Sequence, residues 1–209
     1  GRRMAVWALA AALLGLTPIQ SEAAYSGSGT FNLITNSTDI TSDGYYVFVG
    51  GGTANAMERV NTASAASTGA LRTYALTVGS AATVITDPNA DIVWKVDAVS
   101  SSMSIYNEVG SIYIGAQAAT AGGLVVKSAS NAGSYFQWTF ATTASTRMGV
   151  RNVGQSLHRL QYNSANPRFA CYTTAQTHFR VFKMAAATPA ITLADNGTVA
   201  AANVSQGAT

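Results

Sequence analysis

A large aromatic residue recurs at a fixed interval along this chain: Trp94, Trp138 and Phe182 stand 44 residues apart. Each falls in the last of four short apolar or alternating runs separated by turn residues, the pattern of short strands. The first group is Tyr45–Val49, Ala56–Arg59, Leu71–Val78 and Ile92–Val96. The second is Met103–Tyr106, Ile112–Ile114, Leu124–Val126 and Tyr135–Phe140, and the third is Met148–Arg151, Leu157–Tyr162, Arg168–Tyr172 and Phe179–Phe182. The groups also align at their starts. Ile105-Tyr106-Asn107 matches Val150-Arg151-Asn152, and each is followed by a Val-Gly step at 109–110 and 153–154. A constant period of this size marks a repeat architecture. One four-stranded unit leaves an apolar face open, whereas three units around a pseudo-threefold axis close it. A bulky aromatic buries about 150–250 Å², so one from each unit is expected to meet its partners in a shared core.

The expected fold class is therefore all-β, a β-trefoil over residues 44–184, with repeats at about 44–98, 99–143 and 144–184. A three-bladed toroid or an irregular sandwich is the alternative, because strand period alone does not fix how the sheet closes. Composition agrees with short strands and turns. Charged residues make up only 10%, against about 25% in ordinary globular domains. The single cysteine, Cys171, excludes an internal disulfide, so stability must come from the core. Its apolar setting, Phe169-Ala170-Cys171-Tyr172, predicts a buried, inert thiol.

The two ends differ from the middle. Arg2 and Arg3 precede the apolar run Met4–Leu16, then come Pro18 and the small-residue step Ser21-Glu22-Ala23. That is the layout of a secretory signal peptide over 1–23. The run is shorter than the roughly 20 residues a membrane span needs, so the mature chain is expected to carry no membrane span. Residues 24–43 read as an N-terminal segment. Residues 185–209 read as a linker followed by the first strand of a further β-domain, from the alternation Ala190–Ala194 and the turn Asp195-Asn196-Gly197.

Charge is distributed unevenly. From Ala24 to Glu108 there are three basic residues and seven acidic ones; from Val109 to Ala194 there are seven basic residues and no acid. Such a field attracts an anionic polymer or the acidic face of a second copy.

Phe136-Gln137-Trp138 resembles the Gln-x-Trp core motif of ricin-like β-trefoils without its intervening residue, and Ile92-Val93-Trp94 and Phe179–Phe182 resemble weaker copies. The stretch Leu160–Tyr172 resembles a hairpin in modules of secreted, multidomain Bacteroidetes-type surface proteins, which stand beside hydrolase, nuclease or adhesin domains. The tail from Asp195 to Gly207 is similar to the start of an Ig-like repeat of surface proteins. The resemblance covers about residues 44–184. It implies a secreted or cell-surface location in a Gram-negative bacterium and a carbohydrate-binding or adhesive role within a larger exported protein. A structural spacer, or a polyanion-binding accessory domain of a hydrolase or nuclease, is the alternative.

Signs of catalysis are poor. The two histidines, His158 and His178, have no acid near them in sequence, and no metal-ligand spacing or Gly-x-Ser-x-Gly elbow occurs. Gly50-Gly51-Gly52 and the carboxylates Asp87 and Asp91 read as turns. No catalytic residue, metal or cofactor is expected. Binding residues are expected in the third repeat at Gln161, Tyr162, Asn163, Asn166, Arg168 and Tyr172, and in the second at Tyr113 and Gln117. Asn55 and Asn61 take the corresponding place in the first repeat, without an aromatic. The resemblance implies sugar pockets that stack a ring and hydrogen-bond hydroxyls. The family's pocket Asp is absent from the second and third repeats. That turns the expected partner from a neutral glycan toward an anionic polysaccharide, which arginine binds in bidentate fashion. Self-association through opposite charges is a further possible partnership, and nucleic acid the least expected one.

Overall fold

The structure is a computed structural model and describes residues 24–60, 67–117, 125–144 and 146–186. The signal-peptide segment, Asn61 and nearly all of the C-terminal tail lie outside the described residues. The strands are β1 Thr30–Ile34, β2 Gly44–Gly50, β3 Asn55–Glu58, β4 Ser67–Gly69, β5 Arg72–Ala75, β6 Val84–Thr86, β7 Val93–Val99 and β8 Ser102–Asn107. They continue as β9 Ile112–Ala116, β10 Val125–Ser128, β11 Trp138–Ala144, β12 Arg147–Asn152, β13 Arg159–Asn163, β14 Arg168–Tyr172 and β15 Phe179–Met184. Short 3-10 turns lie at Ser37–Asp39, Ala90–Ile92 and Ser134–Phe136.

Six strands close a ring. β2 pairs β7, β7 pairs β8, β8 pairs β11, β11 pairs β12, β12 pairs β15, and β15 returns to β2, all antiparallel. Three hairpin pairs extend from it: β3 with β5, β9 with β10, and β13 with β14. Each unit thus gives two strands to the barrel and two to a hairpin, and the fold is a β-trefoil. One closed ring of six strands replaces the three-bladed toroid and the irregular sandwich that strand period alone left open.

Register identifies the threefold-equivalent positions. Tyr46 faces Trp94, Met103 faces Trp138, and Met148 faces Phe179. Trp94, Trp138 and Phe179 are all completely buried in one core cluster, with Phe48, Ile105 and Val150. The Trp94 Nε1–H donates to the Met57 carbonyl at 2.9 Å, and the Trp138 Nε1–H to the Ile114 carbonyl at 2.9 Å. These bonds place the polar edge of each indole without leaving an unsatisfied donor. The Phe179 ring instead meets Phe48 and Phe169, with centroids 5.6 and 5.7 Å away.

Phe182 corrects the sequence reading. It is buried, but in a second cluster outside the barrel with Phe31, Tyr45, Val47, Val49 and Ile85. The physical reason is a shorter third unit. Before β7 and β11 the chain makes a 3-10 turn. Before β15 it instead runs straight into a bridge between Tyr162 and Thr177. The third core aromatic therefore comes early, at Phe179, and the 44-residue interval to Phe182 is a coincidence.

The second cluster arises because residues 24–43 pack onto the barrel. β1 pairs β15 in the register Leu33 with Phe182, and β6 pairs β1. Together they cover the outside of β2, all seven residues of which are buried. Tyr46 and Phe48 enter the inner core, and Tyr45, Val47 and Val49 the outer one. A strand buried on both faces reads as a continuous apolar run, which explains why this stretch of the sequence does not alternate.

The position four residues beyond Tyr46, Met103 and Met148 joins the units. Asn107 and Asn152 stand there, both buried. The Asn107 amide donates to the carbonyls of Ala90 and Val93, and Asn152 does the same to Tyr135 and Gln137. Each Oδ1 accepts a backbone N–H three residues on, from Gly110 and Gln155 respectively. The same side chain thus ties each unit to the 3-10 turn of the one before. In the first unit the position is Gly50, and the ring of Tyr162 lies over it instead.

Cys171 sits in the inner core, and burial pushes its thiol up to about 12. A thiol reagent at pH 8 is expected to leave the native protein unlabelled and to react stoichiometrically once urea unfolds it. Fast labelling of native protein would show that this part of the barrel opens.

Candidate functional site

The third-unit hairpin, β13 with β14, carries most of the residues expected to bind. Its turn is fixed locally: the Asn163 Oδ1 accepts the backbone N–H groups of Ala165 and Asn166 at 3.0 and 3.1 Å. Asn166 is exposed, and Arg168, directly opposite Asn163 in register, is part-exposed. The Arg168 Nε–H donates to the hydroxyl of the mostly buried Tyr172 at 3.2 Å, which steadies the guanidinium. Asn163, Asn166 and Arg168 form one ordered polar surface.

The other expected residues have internal duties. Gln161 is fully buried; its amide donates to the Gln176 carbonyl and its carbonyl accepts the Gln176 N–H. Tyr162 is 2% exposed, packs on Phe169 and accepts a hydrogen bond from Asn55 at 2.8 Å. Gln161 and Tyr162 present nothing to a ligand, because an amide or ring that fills the interior was read from sequence as one that faces out. Asn55 of the first unit serves the same closure. In the second unit, Tyr113 is half-buried and packs against Tyr106 with ring centroids 4.5 Å apart and planes tilted by 37°, and burial raises its phenol pKa. Gln117, at the end of β9, has a buried Oε1 without a hydrogen-bond partner among the described residues.

The charge asymmetry resolves into two different surfaces. In the first unit and its junction five of the seven carboxylates are used at home. Asp91 pairs Arg59 at 2.6 Å, and Asp43 and Asp97 each lie 3.2 Å from Lys95. Glu108 accepts the Tyr45 hydroxyl, and Asp87 accepts the Gly29 N–H. Asp87 and Asp91 are thereby accounted for without chemistry. In the third unit, no arginine has an ion pair among the described residues. Sequence reasoning saw this excess of charge but not its arrangement. Along β12 the residues Arg147, Gly149 and Arg151 alternate with buried Met148, Val150 and Asn152, and that alternation was the available signal.

His158 is buried, and neither ring nitrogen has a hydrogen-bond partner among the described residues. Among the same residues no cluster of three or more histidine, cysteine or acidic side chains is placed to hold a metal ion. No helix among them is long and apolar enough to cross a membrane.

No model of a known protein family matches the sequence, and no curated protein matches it either. Solved structures do. The designed three-fold symmetric protein ThreeFoil superposes with a TM-score of 0.52 at 12% identity, over 66% of this chain and 96% of ThreeFoil. Polyporus squamosus lectin, solved with the human-type influenza-binding epitope Neu5Acα2-6Galβ1-4GlcNAc, matches at 0.51 and 9% identity over 69% of this chain. A GlcNAcα1-4Gal-releasing endo-β-galactosidase from Clostridium perfringens matches at 0.52 and 9% identity, again over 69% of this chain. The match spans 49% of the lectin and 34% of the galactosidase, so the likeness is to one part of each.

Proposed function

We propose that this β-trefoil is a non-catalytic, extracellular glycan-binding module of a larger exported protein, and that it binds through the tip of the third-unit hairpin. The observation that carries the reading is the fixed polar surface of Asn163, Asn166 and Arg168. A turn locked by its own asparagine and an arginine steadied by a tyrosine hydroxyl hold donors in place before a ligand arrives, which lowers the ordering cost of binding. The same fold serves as a lectin in the Polyporus protein and as part of a glycosidase in the Clostridium one, which supports the class of ligand. The signal-peptide pattern supports the location. Assembly through opposite charges on neighbouring copies is the weaker reading, since five of the seven carboxylates between Ala24 and Glu108 already have partners within the chain.

The test is a glycan array followed by titration calorimetry of the best ligand. Arg168→Ala and Asn166→Ala are each expected to weaken binding about 10-fold, as for loss of one hydrogen bond to a charged or amide group. Their melting temperatures should stay near that of the parent, because both side chains are at the surface. An array with no ligand, or ligand binding untouched by both substitutions, would remove the hairpin from consideration.

A further inference from the structure

A second surface, distinct from the hairpin tip, carries an unneutralised row of cations. In register, Arg151 of β12 stands directly opposite Arg159 of β13, and Arg159 stands opposite Tyr172 of β14. Like charges placed directly opposite on neighbouring strands destabilise a sheet. Arg147 lies on the same face of β12, four residues from Arg151, with Gly149 between them. Over Gly149 the imidazole of His178 comes close: a side-chain carbon at this glycine would stand 3.8 Å from Nε2. His178 Nδ1 is 3.1 Å from the Thr143 hydroxyl. Burial, then the charges of Arg159 and Arg147, hold the His178 imidazole below its ordinary pKa, so both guanidinium groups lie within electrostatic reach of His178. The floor of the face is small, Gly149 paired with Ala141, and Thr139 flanks Arg151. The Nη1 of Arg147 is buried and has no hydrogen-bond acceptor among the described residues.

Three arginines with no carboxylate partner, two of them side by side, are a costly arrangement unless something anionic joins them. Arg180, the nearby fourth, is not available, since its guanidinium donates to the carbonyls of Ser80 and Ala82. The backbone positions of Arg147 and Arg151 stand about 13 Å apart at roughly 3.3 Å per residue. A ligand with several anionic groups in series matches that spacing.

We propose that the outer face of β12, formed by Arg147, Arg151 and Arg159 with His178 and Thr143, is a binding site for an acidic polysaccharide, its carboxylates or sulfates taken by the guanidinium groups. Nucleic acid fits less well. Single strands are held by stacking on aromatic rings, and the one exposed aromatic among the described residues, Tyr135, lies on the 3-10 turn before β11 rather than on this face. The site stands apart from the hairpin tip and fails or succeeds separately from it.

The experiment uses the whole chain with polygalacturonate and dextran sulfate as probes, in affinity electrophoresis across a salt series, with duplex and single-stranded DNA in parallel. Arg151→Gln with Arg159→Gln is expected to weaken binding of one or both polymers at least 10-fold and to flatten the salt dependence. Arg72→Gln, the loss of one charge on the first unit, should leave binding within twofold. Because the substitution removes a like-charge pair, Arg159→Gln should melt no lower than the parent, so loss of binding cannot be put down to loss of fold. No binding of either polymer by the parent chain overturns the proposal. So does an equal loss in Arg72→Gln, or DNA binding tighter than that of both polymers. Loss of array binding in Arg168→Ala with acidic-polymer binding intact would establish two separate surfaces.

Discussion

Trp138→Ala is expected to lower the unfolding free energy by about 3–5 kcal/mol, the usual cost of deleting a buried indole. The ring is wholly buried at a threefold position of the barrel, and its Nε1–H meets the Ile114 carbonyl. Truncation would open a void in the inner core and strip that carbonyl of its donor. Trp138→Phe should cost less than half as much, because the equivalent position of the third unit is already a phenylalanine, Phe179. Urea unfolding, followed by tryptophan fluorescence for the phenylalanine variant and far-UV circular dichroism for both, measures the difference. A loss below about 1 kcal/mol for the alanine variant would mean that the inner core does not depend on this ring.

The second large effect is expected at Gly50. A side-chain carbon there would lie 2.5 Å from Cγ of Tyr162 and 2.6 Å from Cδ1. The ring has little room to retreat, since it packs on Phe169 at 5.0 Å and its hydroxyl is held by Asn55. Gly50→Ala should therefore cost at least the upper end of the 1–3 kcal/mol typical of overpacking, about 3 kcal/mol. The cause is identified by a double-mutant cycle. Tyr162→Ala removes the clashing Cγ and Cδ1 and leaves only Cβ, 3.1 Å away, so the pair should be less destabilised than the two single changes summed. Strict additivity would place the strain elsewhere.

These two positions show what was and was not legible in the sequence. The twelve strands were legible because short apolar runs between glycines and polar turns have one economical interpretation, and their grouping in fours followed from two aligned starts and two tryptophans. Trp94 and Trp138 share the inner core and Phe182 does not, because a period counts residues while register counts hydrogen bonds. Dropping a 3-10 turn shortens the third unit without disturbing its pairing. The association of β1 with β15 was hidden for a related reason: nothing local in Thr30–Ile34 names a partner about 150 residues away. At the hairpin, side-chain chemistry was legible and direction was not. Gln161 and Asn163 have the same kind of amide, yet one fastens a loop from within and the other shapes an exposed turn. The facing arginines were the least visible, since Arg151 and Arg159 meet only through the hairpin geometry that joins β12 to β13.

The ring is sealed by its last strand, β15, which runs beside β2 on one side and β12 and β1 on the other. A chain emerging from a ribosome cannot finish this barrel until residues near 184 are free. Until then β2, with apolar side chains on both faces, has one edge waiting for a neighbour. Contacts this distant in sequence are slow to form, and an uncovered apolar edge invites other chains. The interval between synthesis of the second unit and arrival of β15 is thus when this protein would most need a chaperone.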